Sequence, residues 1–248
     1  MSKTQEKEIF DYLSNKQFAQ VEEIANDLKV STSTIRRKLT ALQEKGLVIR
    51  KHGGAQIADV NEYFPSFTFR AHQNSLEKKK IALQAIKLIK NGDLVFLDGS
   101  TSAYYIAEYL SEFNDLRVVT NGIDTLSLLA KNKITAYSTG GKVSAINPAV
   151  LVGEKAISDV CAYHADIAFF SASSILANGE VYDCFEEENV VRSYMLKHAT
   201  KKVLLLDNTK FGKKGQFHLC SVKDIDCIVT DQDRKDYFEC DHLPEIIF

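Results

Sequence analysis

Tryptophan is absent from this 248-residue chain, and only three prolines occur in it. Nothing in this composition indicates a repeat or a disordered protein, and a hydrophobic content of 45% is sufficient for folded cores. Long apolar runs are also missing, because no stretch reaches the ~18 residues that a membrane-spanning helix needs. The start of the chain is polar and charged, unlike a secretory signal. We therefore expect a cytoplasmic protein that does not contact a membrane.

Closely spaced cysteines are missing as well. The five cysteines are odd in number and scattered, and none belongs to a CxxC pair, which indicates reduced thiols. Three Cys/His pairs have spacings that match no common metal site, so we expect no metal ion and no cofactor. These pairs are Cys161/His164, His218/Cys220 and Cys240/His242.

Charge is distributed unevenly along the chain. Residues 1–57 contain ten lysines and arginines against seven acidic residues, whereas the remainder contains 21 against 26. A basic end joined to a larger acidic part fits a nucleic-acid-binding domain followed by a second domain. The basic excess is modest, so it does not establish DNA binding without further signals.

Residues 30–54, VSTSTIRRKLTALQEKGLVIRKHGG, provide the strongest such signal. Ser31 is a favourable helix N-cap, because its hydroxyl can accept a hydrogen bond from an amide of the first turn. An apolar stripe with i, i+4, i+7 spacing follows, formed by Ile35, Leu39 and Leu42. Gly46 is expected to end this helix. A short apolar strand then leads into a basic turn over residues 50–52, before two glycines.

The polar residues of this helix are arranged for an interaction with a partner. Ser33, Arg37 and Thr40 point away from the apolar stripe, and Arg36 and Lys38 flank it. Residues 3–16 and 21–28 form two earlier helices with their own apolar spacing, and a tight turn separates the second from the third. Three helices followed by a strand pair indicate a winged helix-turn-helix, and the alternative is a generic three-helix bundle with a solvated face.

The chain then passes through a segment without helical periodicity. Residues 56–75 contain Pro65 and several polar breakers, so we expect domains at 1–57 and 76–248 with a linker over 58–75. Arg70 could anchor this linker or reach a ligand, and anchoring is the favoured role.

Helices and short apolar strands alternate from Leu76 onward. The predicted helices are Lys78–Ile89, Thr101–Leu110, Ile123–Ala130 and Glu187–His198. The predicted strands are Leu94–Leu97, Leu116–Val119, Ile134–Tyr137, Ile167–Phe170, Val203–Leu206 and Cys227–Val229. This alternation is typical of an α/β domain with a mostly parallel sheet that helices cover on both faces.

Ligands of such sheets bind beyond the carboxyl ends of the strands. Four loops there carry glycine, hydroxyl or amide residues, at 98–102, 120–122, 140–142 and 207–212. The first, DGSTS, resembles a phosphate cradle without a Walker lysine, although a GSTS loop is often an ordinary helix cap. Asp98 could accept bonds from sugar hydroxyls, and Lys210 could supply a counter-charge. We expect a small phosphorylated ligand.

The chain resembles DeoR-type bacterial transcriptional regulators over nearly its full length. The N-terminal match is VSTSTIRRKLTALQEKGLVIRKHGGA. The later matches are EKKKIA, LDGSTS, VVTNG, STGGKV, LVGEKA, ASSILANGEVYDCFEEE and LLLDNTKFGKKG. The order of these fragments is more specific than any one of them.

The resemblance implies a winged helix-turn-helix joined to a domain with a ribose-phosphate-isomerase-like fold, which senses a phosphorylated sugar and controls a sugar-utilisation operon, usually as a repressor. The implied DNA-binding residues are Ser31, Thr32, Ser33, Thr34, Arg36, Arg37, Lys38, Arg50, Lys51, His52 and Gly53. The implied effector residues are Asp98, Gly99, Ser100, Thr101, Ser102, Thr120, Asn121, Gly140, Gly141 and Lys210. Since one recognition helix covers few base pairs, a homo-oligomer (dimer or tetramer) on double-stranded operator DNA is expected.

Two departures from the family pattern bear on function. The family commonly has an acidic residue where this chain has Lys38, which makes the helix more basic. The loop that carries catalytic carboxylates in sugar-phosphate isomerases reads Ser171-Ala172-Ser173-Ser174 here, without a base for proton abstraction. This argues against the alternative of an isomerase-like enzyme with an appended DNA-binding module, so we expect no catalytic residues. A constitutive DNA-binding scaffold with a vestigial pocket is a weaker alternative.

Overall fold

The computed structural model describes residues 2–44, 47–58, 65–213, 215–240 and 242–248, and the side chains of residues 2–4 and 44 lie outside this description. The predicted helix end at Gly46 and residues 59–64 of the predicted linker are also outside it. The chain divides into two compact units, Met1–Gln73 and Asn74–Phe248.

The first unit contains helices and one antiparallel sheet. Its helices are α1 (Ser2–Lys16), α2 (Val21–Leu28), α3 (Thr32–Glu44) and α4 (Phe67–His72). Its strands are β1 (Phe18–Gln20), β2 (Val48–Lys51) and β3 (Gly54–Ile57), in the order β1-β3-β2. The winged helix-turn-helix architecture predicted from the sequence is confirmed.

The apolar stripe of α3 forms the centre of this unit. Ile35, Leu39 and Leu42 are buried and pack with apolar residues of α1, α2 and the strands. The helix begins as predicted, because the backbone N–H of Thr34 donates to the Ser31 hydroxyl at 3.4 Å. The spacing of apolar residues therefore determines which face of α3 remains on the surface.

Strand β1 is absent from the predicted elements, because three residues between two helices are too few to show alternation. It pairs with β3, where Ala19 lies opposite Ala55. A Cβ atom at Gly54 would lie 2.4 Å from the carbonyl oxygen of Ala19, so this close approach requires glycine.

The basic turn is shorter than predicted. Arg50 and Lys51 are the last two residues of β2, and the turn itself consists of His52 and Gly53. Gly53 has a φ of 76°, which a residue without a Cβ atom adopts readily. The backbone at these two basic residues is therefore held by pairing with β3.

Helix α4 lies in the segment that was predicted to be a linker without a helix, so that part of the prediction is wrong. Ser66 caps the helix by accepting from the N–H of Phe69 at 3.2 Å. Phe69 packs on Phe10 of α1 with ring centroids 5.3 Å apart. Tertiary packing stabilises this short helix, which is why periodicity does not reveal it. Arg70 anchors the segment as favoured, since its Nε donates to the carbonyl oxygen of Pro65 at 3.0 Å.

The second unit is built around a seven-stranded parallel sheet. Its helices are α5 (Ser75–Ala85), α6 (Thr101–Ala107), α7 (Ile123–Lys131), α8 (Glu154–Cys161) and α9 (Glu186–Lys197). The strands of the large sheet are β4 (Leu94–Leu97), β5 (Arg117–Thr120), β6 (Thr135–Ser138), β9 (Ala165–Ser171), β12 (Ala199–Leu206), β14 (Cys227–Thr230) and β15 (Glu245–Ile247). The remaining strands are β7 (Lys142–Val143), β8 (Leu151–Val152), β10 (Ser174–Ile175), β11 (Glu180–Asp183) and β13 (Phe217–Ser221).

The strand order of the large sheet is β15-β14-β12-β9-β4-β5-β6, with parallel pairing throughout. The chain enters at β4, adds β5 and β6 on one side, and then adds the other four strands on the opposite side. The direction of winding therefore reverses between β4 and β9. Ligands of open parallel sheets bind beyond the carboxyl ends of the strands at such a switch point.

Helices cover both faces of this sheet, as predicted. On β4, Val95 and Leu97 belong to a core cluster with residues of α5, α6 and α7. Leu94 and Phe96 belong to a second cluster with residues of α8 and α9. Both faces of β4 are therefore buried, which explains its continuous apolar sequence.

Several small elements of the second unit are absent from the prediction. They are helix α8, strand β15, the pair β7-β8 and the small antiparallel sheet β10-β11-β13. The strands among them have two to five residues of mixed polarity, so no alternation identifies them. Of the helices in the described part of the chain, none is long and apolar enough to cross a membrane.

Candidate functional site

The surface of α3 exposes two arginines on the face opposite its apolar stripe. Ser33, Arg36, Arg37 and Thr40 are all exposed and follow one another at helical spacing, so they share one face. Thr32 and Thr34 are half-buried near the start of the helix. Residues at this end also bond to one another, since the Ser31 hydroxyl donates to Thr34 Oγ1 at 2.9 Å.

The wing extends this polar surface. Arg50, Lys51, His52 and Gly53 are exposed. Arg50 Nη1 donates to Thr40 Oγ1 at 3.2 Å, which joins the wing to the outward face of α3. The predicted DNA-binding residues of α3 and the wing are therefore brought together, with the exception of Lys38.

The prediction that Lys38 contacts DNA is wrong. Its side chain is 8% exposed, and its Nζ lies 2.9 Å from Glu6 Oε1 of α1. Position 38 follows Ile35 by three residues and precedes Leu42 by four, so it belongs to the buried face of the helix. The lysine is part of the attachment of α3 to α1.

Three of the four predicted effector loops meet at the carboxyl edge of the large sheet. They follow the adjacent strands β4, β5 and β6. Gly99 and Gly122 are packed against each other, because a Cβ atom at position 122 would lie 3.0 Å from the Cα of Gly99. The N–H of Thr139 donates to the carbonyl oxygen of Thr120 at 3.1 Å. The loops therefore form one continuous surface.

The hydroxyl groups of these loops have different roles. Ser100 caps α6 by accepting from the N–H of Ala103 at 3.2 Å, which matches the alternative of an ordinary helix cap. Thr101 and Ser102 are buried. Thr120 Oγ1 accepts from the N–H of Gly122 at 3.0 Å, and so fixes the second loop.

Asn121 is one of several residues at this edge with unused hydrogen-bonding capacity. Side-chain oxygens of Asp207, Asn208 and Thr230, at the ends of β12 and β14, are also buried without a partner in the described part of the chain. The Nδ2 of Asn121 donates to the carbonyl oxygen of Leu151 at 3.1 Å. Its Oδ1 is buried and has no hydrogen-bond partner within the described part of the chain. A buried acceptor left unpaired costs roughly 1–3 kcal/mol, so a ligand hydroxyl or a water molecule would be favourable there.

Asp98, which was predicted to accept bonds from sugar hydroxyls, is bonded within the protein. The residue is 1% exposed, and both oxygens of its carboxylate have protein donors. Oδ1 accepts from the N–H of Ser100 at 3.1 Å, and Oδ2 accepts from the N–H of Ser171 at 3.1 Å. Oδ2 also accepts from Arg192 Nε at 2.9 Å. The carboxylate therefore fixes the backbone of the loop after β4 relative to the end of β9.

Arg192 of α9 is the main residue that the sequence did not reveal. Its Nη1 donates to Asp183 Oδ2 at 2.7 Å and to Asn189 Oδ1 at 2.8 Å. Burial alone would lower the pKa of Arg192, but the carboxylates around it, chiefly Asp183 and Asp98, raise it above its ordinary value. The guanidinium is therefore a permanent buried cation beneath the site.

Carboxylates are present beside the switch point, although the loop Ser171–Ser174 contains none. Asp183 comes from the end of β11, and Glu188 comes from the first turn of α9. Glu188 accepts from Asn147 Nδ2 at 3.0 Å and lies 3.9 Å from Arg192 Nη2. The loop Ser171–Ser174 itself lacks carboxylates, as the sequence shows, and each of these two neighbouring carboxylates is paired with another side chain.

The third loop borders a cavity of about 460 Å³. Gly140 and Gly141 have φ angles of 61° and 100°, and a Cβ atom at Gly141 would lie 2.6 Å from the carbonyl oxygen of Val152. The lining residues are Gly141, Lys142, Val152, Gly153, Glu154 and Lys155. The cavity therefore reaches only this one of the four predicted loops.

Lys210 lies farther from the centre. It is half-buried in a 3₁₀ turn after β12, and β9 separates that strand from β4. Two strand spacings amount to roughly 10 Å. Lys210 therefore lies on the far side of β9 from the loop after β4.

Among the described residues, no group of three or more histidine, cysteine or acidic side chains could hold a metal ion. The side chains gathered at the sheet edge are suited to hydrogen bonding with an oxygen-rich ligand.

Comparisons with known proteins identify both units. The ribose 5-phosphate isomerase A structure of Methanocaldococcus jannaschii aligns with a TM-score of 0.44 and 19% identity, over 57% of this chain and 56% of that one. The model of the DeoR-like helix-turn-helix domain matches residues 6–61, and that of the DeoR C terminal sensor domain matches residues 73–232.

Curated relatives agree with these matches. The HTH-type transcriptional regulator GolR of Listeria innocua is 35% identical, over 85% of this chain and 83% of its own. The HTH-type transcriptional repressor GlcR of Bacillus subtilis is 33% identical, over 90% and 86%. The glycerol-3-phosphate regulon repressor of Escherichia coli is 26% identical, over 90% and 88%. The chain belongs to the DeoR family of transcriptional regulators.

Proposed function

We propose that this regulator is a repressor of a sugar-utilisation operon, and that a phosphorylated sugar or polyol bound at the carboxyl edge of the large sheet modulates its binding to operator DNA. The observation that carries this proposal is the meeting of three glycine- and hydroxyl-containing loops at the carboxyl edge of the large sheet, beside the topological switch point between β4 and β9. The same chain exposes an arginine face on a helix-turn-helix unit.

The chemistry of the first unit fits DNA. Arg36 and Arg37 can donate in pairs to guanine edges or to phosphate oxygens from the outward face of α3. Arg50 and Lys51 are suited to phosphate contacts from the wing, which supply affinity without sequence preference. Ser33 adds a short hydroxyl on the same face of α3.

The chemistry of the second unit fits a phosphorylated polyol. The loop from Gly99 to Ser102 leads into α6 and is suited to oxygens of a phosphate. The unpaired Oδ1 of Asn121 can accept from a sugar hydroxyl, and Lys210 can supply a counter-charge. The name of the Escherichia coli relative, a glycerol-3-phosphate regulon repressor, is consistent with such a ligand.

The assembly on DNA follows from the size of the recognition element. A single recognition helix covers only a few base pairs, so we expect a dimer or tetramer on repeated half-sites. The protein would work in the cytoplasm, where its operator is. The effector can change DNA binding only through different affinities for two arrangements of the protein.

A two-step experiment tests this function. First, a thermal-shift panel of glucose 6-phosphate, fructose 1-phosphate, glycerol 3-phosphate and inorganic phosphate identifies compounds that stabilise the full chain. Second, these compounds are titrated into a complex with a duplex selected from a random-sequence library. A compound that raises the melting temperature and changes DNA affinity supports the proposal. If the selected duplex binds and no compound changes its affinity, the sensor role is refuted.

A variant of Lys210 separates the two activities. Lys210→Ala should retain DNA affinity and lose most of the response to the effector, whereas Lys213→Ala, an exposed cation three residues later, should retain both. A normal response in Lys210→Ala would remove this residue from the effector site.

A further inference from the structure

We infer that Arg192 is a positioning residue of the effector site, which bridges Asp98 and Asp183 and so holds the Asp98–Ser102 loop in the arrangement that accepts a phosphate group. This inference rests on the proposed function, because it assigns a role in the binding of the same ligand.

The carboxylate of Asp98 connects the two sides of the site. It accepts the backbone N–H groups of Ser100 and Ser171, which lie on the two sides of the switch point, after β4 and at the end of β9. The same carboxylate is paired with a buried cation, because Arg192 Nε lies 2.9 Å from its Oδ2. A buried ion pair of this kind loses much of its stability when one partner is removed.

The guanidinium of Arg192 bridges two carboxylates. Nε contacts Asp98 while Nη1 contacts Asp183, so one side chain connects the loop after β4 with strand β11 of the small sheet. Asn189, three residues earlier on α9, holds Nη1 in place. A planar guanidinium can serve two carboxylates at fixed directions, whereas a lysine ammonium on a flexible stem cannot reproduce that fork.

Helix α9 also contacts a second region of the site, through Glu188. Glu188 accepts from Asn147, and the N–H of Val150 donates to the carbonyl oxygen of Asn147 at 3.1 Å. Val150 in turn forms a bridge with Gly122 in the loop after β5. Helix α9 therefore contacts residues that hold two of the effector loops, Asp98 for the first and Asn147 for the second.

Direct contact between Arg192 and a ligand is not what the geometry favours. The side chain is only 6% exposed, and its Nε and Nη1 already bond to carboxylates. Its effect on a ligand therefore passes through the groups that it holds, chiefly Asp98. This is why Arg192 is a positioning residue and why its test needs a measurement on the loop itself.

The experiment compares Arg192→Lys and Arg192→Met with the wild type in the full chain. Lys197→Met is the matched control, because it removes a cation from the same helix, where Lys197 lies over the Tyr194 ring. Three quantities are measured at a temperature well below unfolding. They are the exchange rates of the Ser100 and Ser171 amide hydrogens without ligand, the affinity for the four panel compounds, and the affinity for DNA.

We expect both amides to exchange at least tenfold faster in the two Arg192 variants, and affinity for the panel compounds to fall at least tenfold. DNA affinity without effector should stay within twofold of the wild type, and Lys197→Met should match the wild type in all three. Because Arg192→Lys keeps the positive charge, its failure to restore binding would show that the bridge is required. If Arg192→Met does not fold, Arg192→Lys decides the question.

A purely structural role gives a different result. The variants would then melt at lower temperature, while amide exchange and ligand affinity stayed within twofold of the wild type, and this would overturn the inference. If no panel compound binds the wild type, the proposed effector class is wrong. The exchange rates of the Ser100 and Ser171 amides would still decide whether Arg192 holds the loop.

Discussion

The two units use charge in opposite ways. On α3 of the first unit, Arg36 and Arg37 are exposed on one face. In the second unit, Asp98 and Arg192 are buried and bonded to each other beneath the loops that we assign to the effector. Exposed charges are available to a large anionic partner, whereas buried ones can act only by fixing the backbone around them. A charge in this protein can therefore act in two ways. An exposed charge can contact a ligand directly, and a buried charge can position the backbone groups that contact it.

Lys38 shows that the distinction follows burial rather than domain. It belongs to α3, yet it pairs with Glu6 inside the first unit, much as Arg192 pairs with Asp98 in the second. Substitutions at buried charges should therefore act through stability and the backbone that these charges hold, whereas substitutions at exposed ones should act directly on binding.

The largest effect is expected from Asp98→Ala. It leaves the Arg192 guanidinium without its partner at Nε, together with two backbone N–H groups without an acceptor. The free energy of unfolding should fall by about 3–5 kcal/mol, measured by urea titration of the second unit's transition. Asp159→Ala, which removes the partner of exposed Lys155, should cost no more than ~0.5 kcal/mol. Equal losses in both variants would contradict the proposed importance of burial.

Lys38→Met is the corresponding test in the first unit. It leaves the carboxylate of Glu6 without this cation, and we expect a loss of about 3 kcal/mol in the unfolding free energy. Combining it with Glu6→Leu should recover most of that loss, because replacing both partners of a buried pair by apolar groups is often neutral. The salt dependence of DNA binding should not change. A flatter dependence would mean that the ammonium group of Lys38 reaches DNA after all.

Lys38 lies on an apolar stripe that the sequence displays, between Ile35 and Leu42 at helical spacing. Arg192 lies one turn before Met195 and Leu196, but Glu188 precedes it on the same face, so no apolar stripe surrounds it. A charged residue on the apolar face of a helix signals a buried ion pair. The partners are not readable in this manner, since Glu6 and Asp98 are 32 and 94 residues away in the chain.

The same limit separates the predictable from the unpredictable parts of the fold. The long strands and the first three helices of the first unit follow from local periodicity, and the four loops follow from the strand ends. Helix α4 and strand β11 depend on packing with distant residues, such as Phe10 on Phe69. The pairing of Asp183 with Arg192 therefore could not be anticipated, because the strand that carries Asp183 was itself unseen.

Arg37→Ala should have the next largest effect, and it should act on binding. Affinity for the selected duplex should fall by about 1–3 kcal/mol, and the slope of its salt dependence should decrease by about one if the contact is to phosphate. Stability should change by less than ~0.5 kcal/mol, because the side chain is exposed. Lys16→Ala removes the same charge from α1 and should leave the salt slope unchanged. A wild-type slope in Arg37→Ala would place this arginine outside the DNA interface.

The smallest effect is expected from Glu22→Gln, which tests whether an exposed ion pair limits the binding of Arg36 to DNA. Arg36 Nη2 lies 3.2 Å from Glu22 Oε1, and both side chains are more than half exposed. Such a pair contributes ~0–1 kcal/mol to stability, so its loss should be hard to detect by unfolding. Removing the carboxylate also removes a competitor for the guanidinium and a charge that repels phosphates. Binding to the duplex should tighten by up to about 1 kcal/mol at low salt, and the gain should shrink as salt screens it.

Glu23→Gln, whose carboxylate pairs with Lys16, should show less of this gain. Weaker binding in Glu22→Gln would instead show that Arg36 depends on Glu22 for its orientation, which would make this exposed pair resemble the buried ones.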